Sequence, residues 1–301
     1  MKNLLTTILM VCISIGLSNA QSRFDDVVIK TNKVTDQIYM LEGSGGNIGV
    51  MIGGDGVFMI DDQYAPLSEK IKTAIGTLSD KRIKYLINTH WHGDHTGGNE
   101  NFAKDGAIIV AQENVRERKS TEQHNKAFNR TTPAAPQITW PTITFKENMT
   151  FHINGQKVVL MHVHNAHTDG DSFVWFPESN VLHMGDCFFK DRFPYIDLGS
   201  GGSVQGALRA IEVAMMLTDA DTQIIPGHGT MGNKSDLLRY YQMLTTMYDR
   251  VKKEVVAGKT VDEIKAAGLT KDYVEWGSGF INEERIIDII WTDIDTTMNS
   301  K

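Results

Sequence analysis

Residues 88–99 read Asn-Thr-His-Trp-His-Gly-Asp-His-Thr-Gly-Gly-Asn, and His90, His92, Asp94 and His95 fall within six positions of one another. The run before them, Arg82-Ile-Lys-Tyr-Leu-Ile87, is rich enough in apolar and β-branched side chains to form a strand ending near Asn88. Gly93, Gly97 and Gly98 then permit a tight strand-to-loop turn. On such a turn His90 and His92 face one point while Asp94 and His95 face a neighbouring one. Imidazole suits zinc, and imidazole with carboxylate suits a catalytic divalent site that keeps a coordination position open. The competing reading is a polar surface loop, which leaves four ligand-type side chains in so short a run unexplained.

Working outward, residues 27–62 predict successive strands at Val27–Ile29, Ile38–Leu41, Ile48–Ile52 and Val57–Ile60, with Gly53-Gly-Asp-Gly56 as a hairpin turn. The last of these delivers Asp61. A helix is expected from Pro66 to Leu78, where Leu67, Ile71, Ala74 and Leu78 keep helical spacing. Beyond the histidine turn, Ala107–Val110 reads as a strand and Asn114–Arg118 as a short helix. Residues 119–142 are polar and carry Pro133, Pro136 and Pro141, so they form either a lid or a plain surface excursion.

Met149–Ile153 and Lys157–Val163 pair around Asn154-Gly155, and Ser172–Phe176 pairs with Val181–Met184. A helix over Val204–Leu217 and a strand at Gln223–Pro226 follow. From Ser235 the chain is helical, with a capping box at Thr260-Val-Asp-Glu263. Strands and helices in this order predict two sheets with helices on the outer faces, and a site where strand ends meet loops. Three strand ends offer further donors: His167 in Asn165–Asp171, Asp186 and Cys187 after Gly185, and His228 between Gly227 and Gly229.

With these residues in hand, the chain resembles the metallo-β-lactamase superfamily of binuclear zinc hydrolases over about Val34 to Thr230. Asp61 closing a strand, the His-x-His-x-Asp-His cluster at 90–95, His167, Gly185-Asp186 and Gly227-His228 carry the resemblance together. It implies an α/β fold, a four-layer αββα sandwich with extra C-terminal helices. It implies two Zn²⁺ per chain, one on His90, His92 and His167, the other on Asp94, His95 and His228. Asp186 would bridge them, and Asp61 would orient a ligand. Gly185-Asp-Cys-Phe-Phe-Lys190 also resembles the cysteine-ligand branch of true β-lactamases, in which a lysine receives the substrate carboxylate. His95 and Asp186 already complete the second site, so Cys187 is read as a non-ligating thiol. Lys190 is either an anion anchor or a solvated lysine.

The first twenty residues read as a secretory signal peptide: Lys2, an apolar run from Leu4 to Leu17, and Ser18-Asn-Ala20 before the cleavage point. Residues 21–301 are then one metallo-β-lactamase-like domain, with 234–301 as its helical C-terminal extension, in a periplasmic or secreted protein without a membrane span. Loss of Lys2 takes the formal net charge from −7 to −8, which argues against a nucleic-acid partner. Cys187 would be the only cysteine left, excluding an intramolecular disulfide.

The chemistry implied is hydrolysis of an activated acyl bond in a small-molecule substrate by hydroxide held between the metals, with Asp94 orienting it. A β-lactam amide is the first expectation, and a lactone or thioester the alternative. A non-hydrolytic metal-binding or iron redox protein is the alternative of another class.

Overall fold

The computed structural model of the chain describes residues 23–125 and 129–299. The expected leader over residues 1–20, Cys12 and the cleavage point near Ala20 lie outside the described residues.

In chain order the strands are β1 (Lys30–Lys33), β2 (Ile38–Glu42), β3 (Ile48–Met51), β4 (Val57–Ile60), β5 (Ile83–Asn88), β6 (Ile108–Gln112), β7 (Gln123–Asn125), β8 (Arg130–Thr132) and β9 (Ile143–Phe145), then β10 (Asn148–Ile153), β11 (Gln156–His162), β12 (Ser172–Phe176), β13 (Val181–His183) and β14 (Gln223–Ile225). The first sheet has the order β1-β2-β3-β4-β5-β6-β9, and the second runs from β10 to β14 in sequence. β1 to β4 pair antiparallel, whereas β4, β5, β6 and β9 pair parallel. The second sheet is antiparallel until β13 and β14, which are parallel. β7 and β8 stand apart as a hairpin.

The helices are α1 (Ser68–Gly76), α2 (Gly93–Thr96), α3 (Asn99–Lys104), α4 (Glu113–Ser120), α5 (Val204–Leu217), α6 (Lys234–Val256), α7 (Val261–Ala266) and α8 (Glu283–Asn299). Alternation along the strands makes the layers. On β4, Phe58 and Ile60 face the second sheet, while Val57 and Met59 face α1 and α3. On β12, Val174 and Phe176 face the first sheet, while Phe173 joins the cluster formed with α5, α6 and α8. Strands buried on both faces have no polar side to show, which is why β3 and β4 read as continuous apolar runs. The result is the expected α/β fold, a four-layer αββα sandwich with helices continuing through the C-terminal third.

Several boundaries differ from the sequence reading. Val27 and Ile29 do not form a strand; they pack half-buried against the outer cluster, and β1 starts at Lys30. β1 is an edge strand, where Lys30 and Lys33 keep the open backbone solvated. The helix expected from Pro66 opens as a 3₁₀ turn over Ala65–Leu67 and becomes α-helical at Ser68. β9 was not foreseen, because three residues after Pro141 carry no readable period. The 119–142 stretch holds the β7–β8 hairpin, which stands on the cleft described next.

Candidate metal centre

Asp61 follows β4, the histidine turn follows β5, and His167, Asp186 and His228 follow β11, β13 and β14. β11, β13 and β14 all run the same way, so their C-terminal ends share one edge of the sandwich. Backbone bonds sew the two halves together there. Asn47 N–H donates to the Gly227 carbonyl at 2.7 Å, and Ser172 N–H to that of Thr89 at 2.9 Å.

Seven expected ligands converge in two groups. Donor atoms of His90, His92, His167 and Asp186 lie within 4.8 Å of one another, and so do those of Asp94, His95 and His228. Asp186 touches both. Its Oδ1 is 3.0 Å from His95 Nε2 and 3.3 Å from His228 Nε2, and its Oδ2 is 3.5 Å from His167 Nε2. Asp94 Oδ2 stands 3.3 Å from His228 Nε2. Glycine permits this closeness: a Cβ on Gly227 would fall 2.0 Å from Asp186 Oδ1, and one on Gly46 2.0 Å from His95 Cε1.

Oxygen atoms fix the other ring nitrogens of four histidines. His167 Nδ1–H donates to the Tyr195 carbonyl at 2.7 Å, leaving Nε2 a lone pair for the cluster. His95 Nδ1 lies 2.7 Å from Asp61 Oδ2, His90 Nδ1 3.1 Å from Thr89 Oγ1, and His92 Nε2 3.0 Å from Asp197 Oδ2. Such partners orient metal ligands and raise their basicity.

Charge is arranged to match. Burial drives the His90 imidazole well below its ordinary pKa and brings His167 down to about 4, so both are neutral. Burial works against the Asp186 carboxylate, but His95 and His228 outweigh it and hold its pKa well below the usual range. The same burial opposes charge on His228, and Asp186 and Asp94 overcome it, pushing the ring up to about 9.

The donor set fits metal ions. His90 Nε2, His95 Nε2 and Asp186 Oδ1 are buried and make no hydrogen bond, although each points into the cluster. Buried polar atoms are almost always satisfied, and a cation shared among imidazole nitrogens and a carboxylate satisfies these.

The remaining expectations divide. Asp61 sits behind the cluster, accepting from Thr89 N–H, Thr89 Oγ1 and His95. Cys187 belongs to neither donor group; it packs under α5 with its thiol pushed up by burial. Lys190, read as an anion anchor or a solvated lysine, is engaged by the chain itself in this arrangement. Its Nζ is 2.7 Å from the Met231 carbonyl and 3.1 Å from Asp236 Oδ2, because a capped helix, α6, presents that carboxylate beside it. His162 binds the Asp171 carbonyl and His164 binds Glu147, away from the donors.

Sequence reasoning missed Asp197 and the Tyr195 carbonyl. Both lie in the irregular 188–203 loop, where Pro194-Tyr-Ile-Asp197 has no ligand-like spacing, so the sequence carried no signal for them. The cluster floors a cleft of about 960 Å³, whose rim carries Asn125, Arg130, Arg192, Tyr195 and Phe280.

The sequence profile of the Metallo-beta-lactamase superfamily matches residues 41–228. Metallo-beta-lactamase type 2 of Bacteroides fragilis is 21% identical over 240 residues, covering 74% of this chain and 87% of that protein. The hydroxyacylglutathione hydrolase of Methylococcus capsulatus is 28% identical over 152 residues, covering 49% and 48%. Among solved structures, a metallo-beta-lactamase from Pontibacter korlensis superposes with a TM-score of 0.60 at 20% identity, over 72% of this chain and 99% of that one. The sec-alkylsulfatase Pisa1 from Pseudomonas sp. gives a TM-score of 0.62 at 15% identity, over 88% and 50%. With a profile match that spans every residue from the strand before Asp61 to His228, this chain belongs to the metallo-beta-lactamase superfamily.

Proposed function

We propose that the protein is a hydrolase of activated acyl bonds that works with two zinc ions, and that its substrate is a β-lactam amide. The observation that carries the two-metal reading is Asp186, whose two oxygens face separate groups of buried donors. His90, His92 and His167 would hold one ion, Asp94, His95 and His228 the other, with Asp186 between them. Zinc bound there supplies Lewis acidity and lowers the pKa of water to about 7. The chain's own groups do the rest. Asp94 Oδ2, kept ionised by His95 and His228 against its burial, faces the cleft and is placed to orient a water and take its proton.

The β-lactam assignment is supported by the relative from Bacteroides fragilis, matched over most of both chains. A lactone or thioester is the second reading. It is favoured by Asp186 standing between the donor groups while Cys187 is turned into the core. Zinc-loaded protein assayed side by side on a β-lactam, a lactone and a thioester, with and without chelator, tests both. Chelator-sensitive turnover of the lactam supports the first reading, and turnover of only the others replaces it with the second. No turnover of any with two zinc ions bound removes the hydrolase reading. Iron in protein taken from its native compartment would favour the non-hydrolytic alternative.

A further inference from the structure

We propose that the cleft selects an organic anion bearing a bulky apolar group, Arg192 holding the negative charge and Phe280 the apolar part; this rests on the acyl-hydrolase reading only for what then happens to the bound molecule.

The chain as a whole is acidic, with a formal net charge of −7, yet its cleft is lined by Arg23, Arg118, Lys119, Arg130 and Arg192. Of the three acids there, Asp94 and Asp186 belong to the donor groups and Glu42 accepts from Asn32, so the cations outnumber the remaining acid. A concave wall carrying one sign of charge concentrates ligands of the other. Most of these cations are engaged. Arg118 makes a two-pronged pair with Asp169, Lys119 binds Thr96, and Arg23 lies over the rings of Phe24 and Tyr64.

Arg192 is different. It is exposed on the cleft and has no ion pair or hydrogen bond among the described residues. Its neighbour Asp191 pairs with Arg239, and Asp236 pairs with Lys190 and Arg239. The lysine two positions earlier, read as an anion anchor or a solvated lysine, is thus ion-paired, and among the described residues the guanidinium on the cleft is not. Arg130, on β8, is a second exposed cleft arginine without a partner among the described residues.

The apolar half comes from the C-terminal extension. The Phe193 N–H donates to the Trp276 carbonyl at 2.9 Å, which ties the 188–203 loop to the segment before α8. Gly279 lets Arg192 lie against that segment, since a Cβ there would fall 3.2 Å from Arg192 Cδ. Next in sequence, Phe280 is 64% exposed, a large ring on the rim of the cleft. It is held in place: its ring meets Tyr195 edge-on at 6.1 Å, and its carbonyl accepts from Arg285 at 3.0 Å. Ile281 lies buried beside it and lines the same cleft. Phe280 and Ile281 lie past residue 228, where the family match ends. Arg285 lies over the Phe280 ring at 5.4 Å, and Arg192 lies against the neighbouring Gly279. A guanidinium beside a fixed aromatic ring on one wall fits a carboxylate with an aryl or alkyl substituent.

The test uses 4-phenylbutyrate and its uncharged counterpart 4-phenylbutan-1-ol, titrated calorimetrically into the zinc-loaded full-length mature protein. Wild type should prefer the acid. R192Q should weaken acid binding about tenfold and leave the alcohol within about twofold. F280A should weaken both, and K190M neither. Carboxylate bound directly to zinc is common to wild type and R192Q, so it drops out of their comparison. In the kinetic arm, R192Q should raise KM for a carboxylate-bearing substrate with little change in kcat, and leave its methyl ester unaffected. No preference for the acid in wild type, a preference kept in R192Q, or one lost in K190M overturns the proposal. Should no acyl substrate turn over while acid preference still follows Arg192, the hydrolase reading fails and the anion site stands. Arg192 and Phe280 are exposed, so the variants should fold, and thermal unfolding checks that they do.

Discussion

Asp61 Oδ2 lies 2.7 Å from His95 Nδ1 with both side chains completely buried, and the same carboxylate accepts from the backbone and hydroxyl of Thr89. Asp61 also has a left-handed backbone, at φ 60. One aspartate at the end of β4 thus sets the ring of His95 and clamps the start of the histidine turn. D61N keeps the shape but weakens the acceptor. We expect zinc affinity of the His95 group to fall about 10–100-fold. Folding stability should drop by about 1–3 kcal/mol, as a buried polar group loses its partner. Competition with a chromogenic chelator measures the first and urea unfolding the second; unchanged affinity at both metal positions would contradict the assigned role.

Asp197 plays the matching part for the other group, taking His92 Nε2 at 3.0 Å and Ser200 Oγ at 2.7 Å. Burial opposes its charge, but hydrogen bonds from His92 and Ser200 bring its pKa down to about 2. D197A should free the His92 ring to rotate. Metal affinity of the His90–His92–His167 group should fall about 10–100-fold, while D197N restores part of it. Equal loss in both variants would mean that Asp197 acts through the 188–203 loop and not through the ring.

Removing metal should also cost stability. His90 Nε2, His95 Nε2 and Asp186 Oδ1 are buried without hydrogen bonds, so a ligand that binds only the folded cluster stabilises it by mass action. At about 100 times the dissociation constant, the gain is about 2.7 kcal/mol for each ion. The unfolding midpoint should rise with added zinc in two steps, reaching two ions per chain by elemental analysis, and fall back with chelator. A midpoint indifferent to zinc would argue against ligation by this cluster.

These partners also mark how far sequence reasoning reached. The donors were legible because metal ligation demands particular side chains at particular strand ends, and most stood beside a glycine or within a tight turn: His90, His92, Asp94 and His95 after β5, Asp186 after Gly185, and His228 between Gly227 and Gly229, with His167 following β11. The layers were legible because β3 and β4 are apolar on both faces. Asp197 was not, because its role is fixed by where an irregular loop folds back, and no period encodes that. The engagement of Lys190 was not legible for a related reason. Its spacing from Gly185 fits an anion anchor, but the Asp236 that turns it aside belongs to α6, 46 residues further along. The polar β1 was placed three residues early for want of any apolar alternation.

Asp171 gives the pH dependence. Its carboxyl is buried and accepts from Thr168 N–H at 2.7 Å and Thr168 Oγ1 at 2.6 Å, one residue from His167. Burial pushes its pKa up to about 7, and the Thr168 bonds only partly offset this. An unfolded aspartate titrates near about 3.9. The folded protein therefore holds this proton more tightly than the unfolded chain does. The sign follows: the contribution is most favourable below about pH 4, falls as pH rises to about 7, and is flat and unfavourable above that. D171N cannot ionise and keeps an acceptor for Thr168. In chelator-treated protein, where metal binding adds no pH dependence of its own, the stability of D171N relative to wild type should climb between about pH 4 and 7 and then level off. Urea unfolding of both proteins across that range measures the difference. A gap that stays constant with pH would show that Asp171 titrates as an ordinary carboxylate despite its burial.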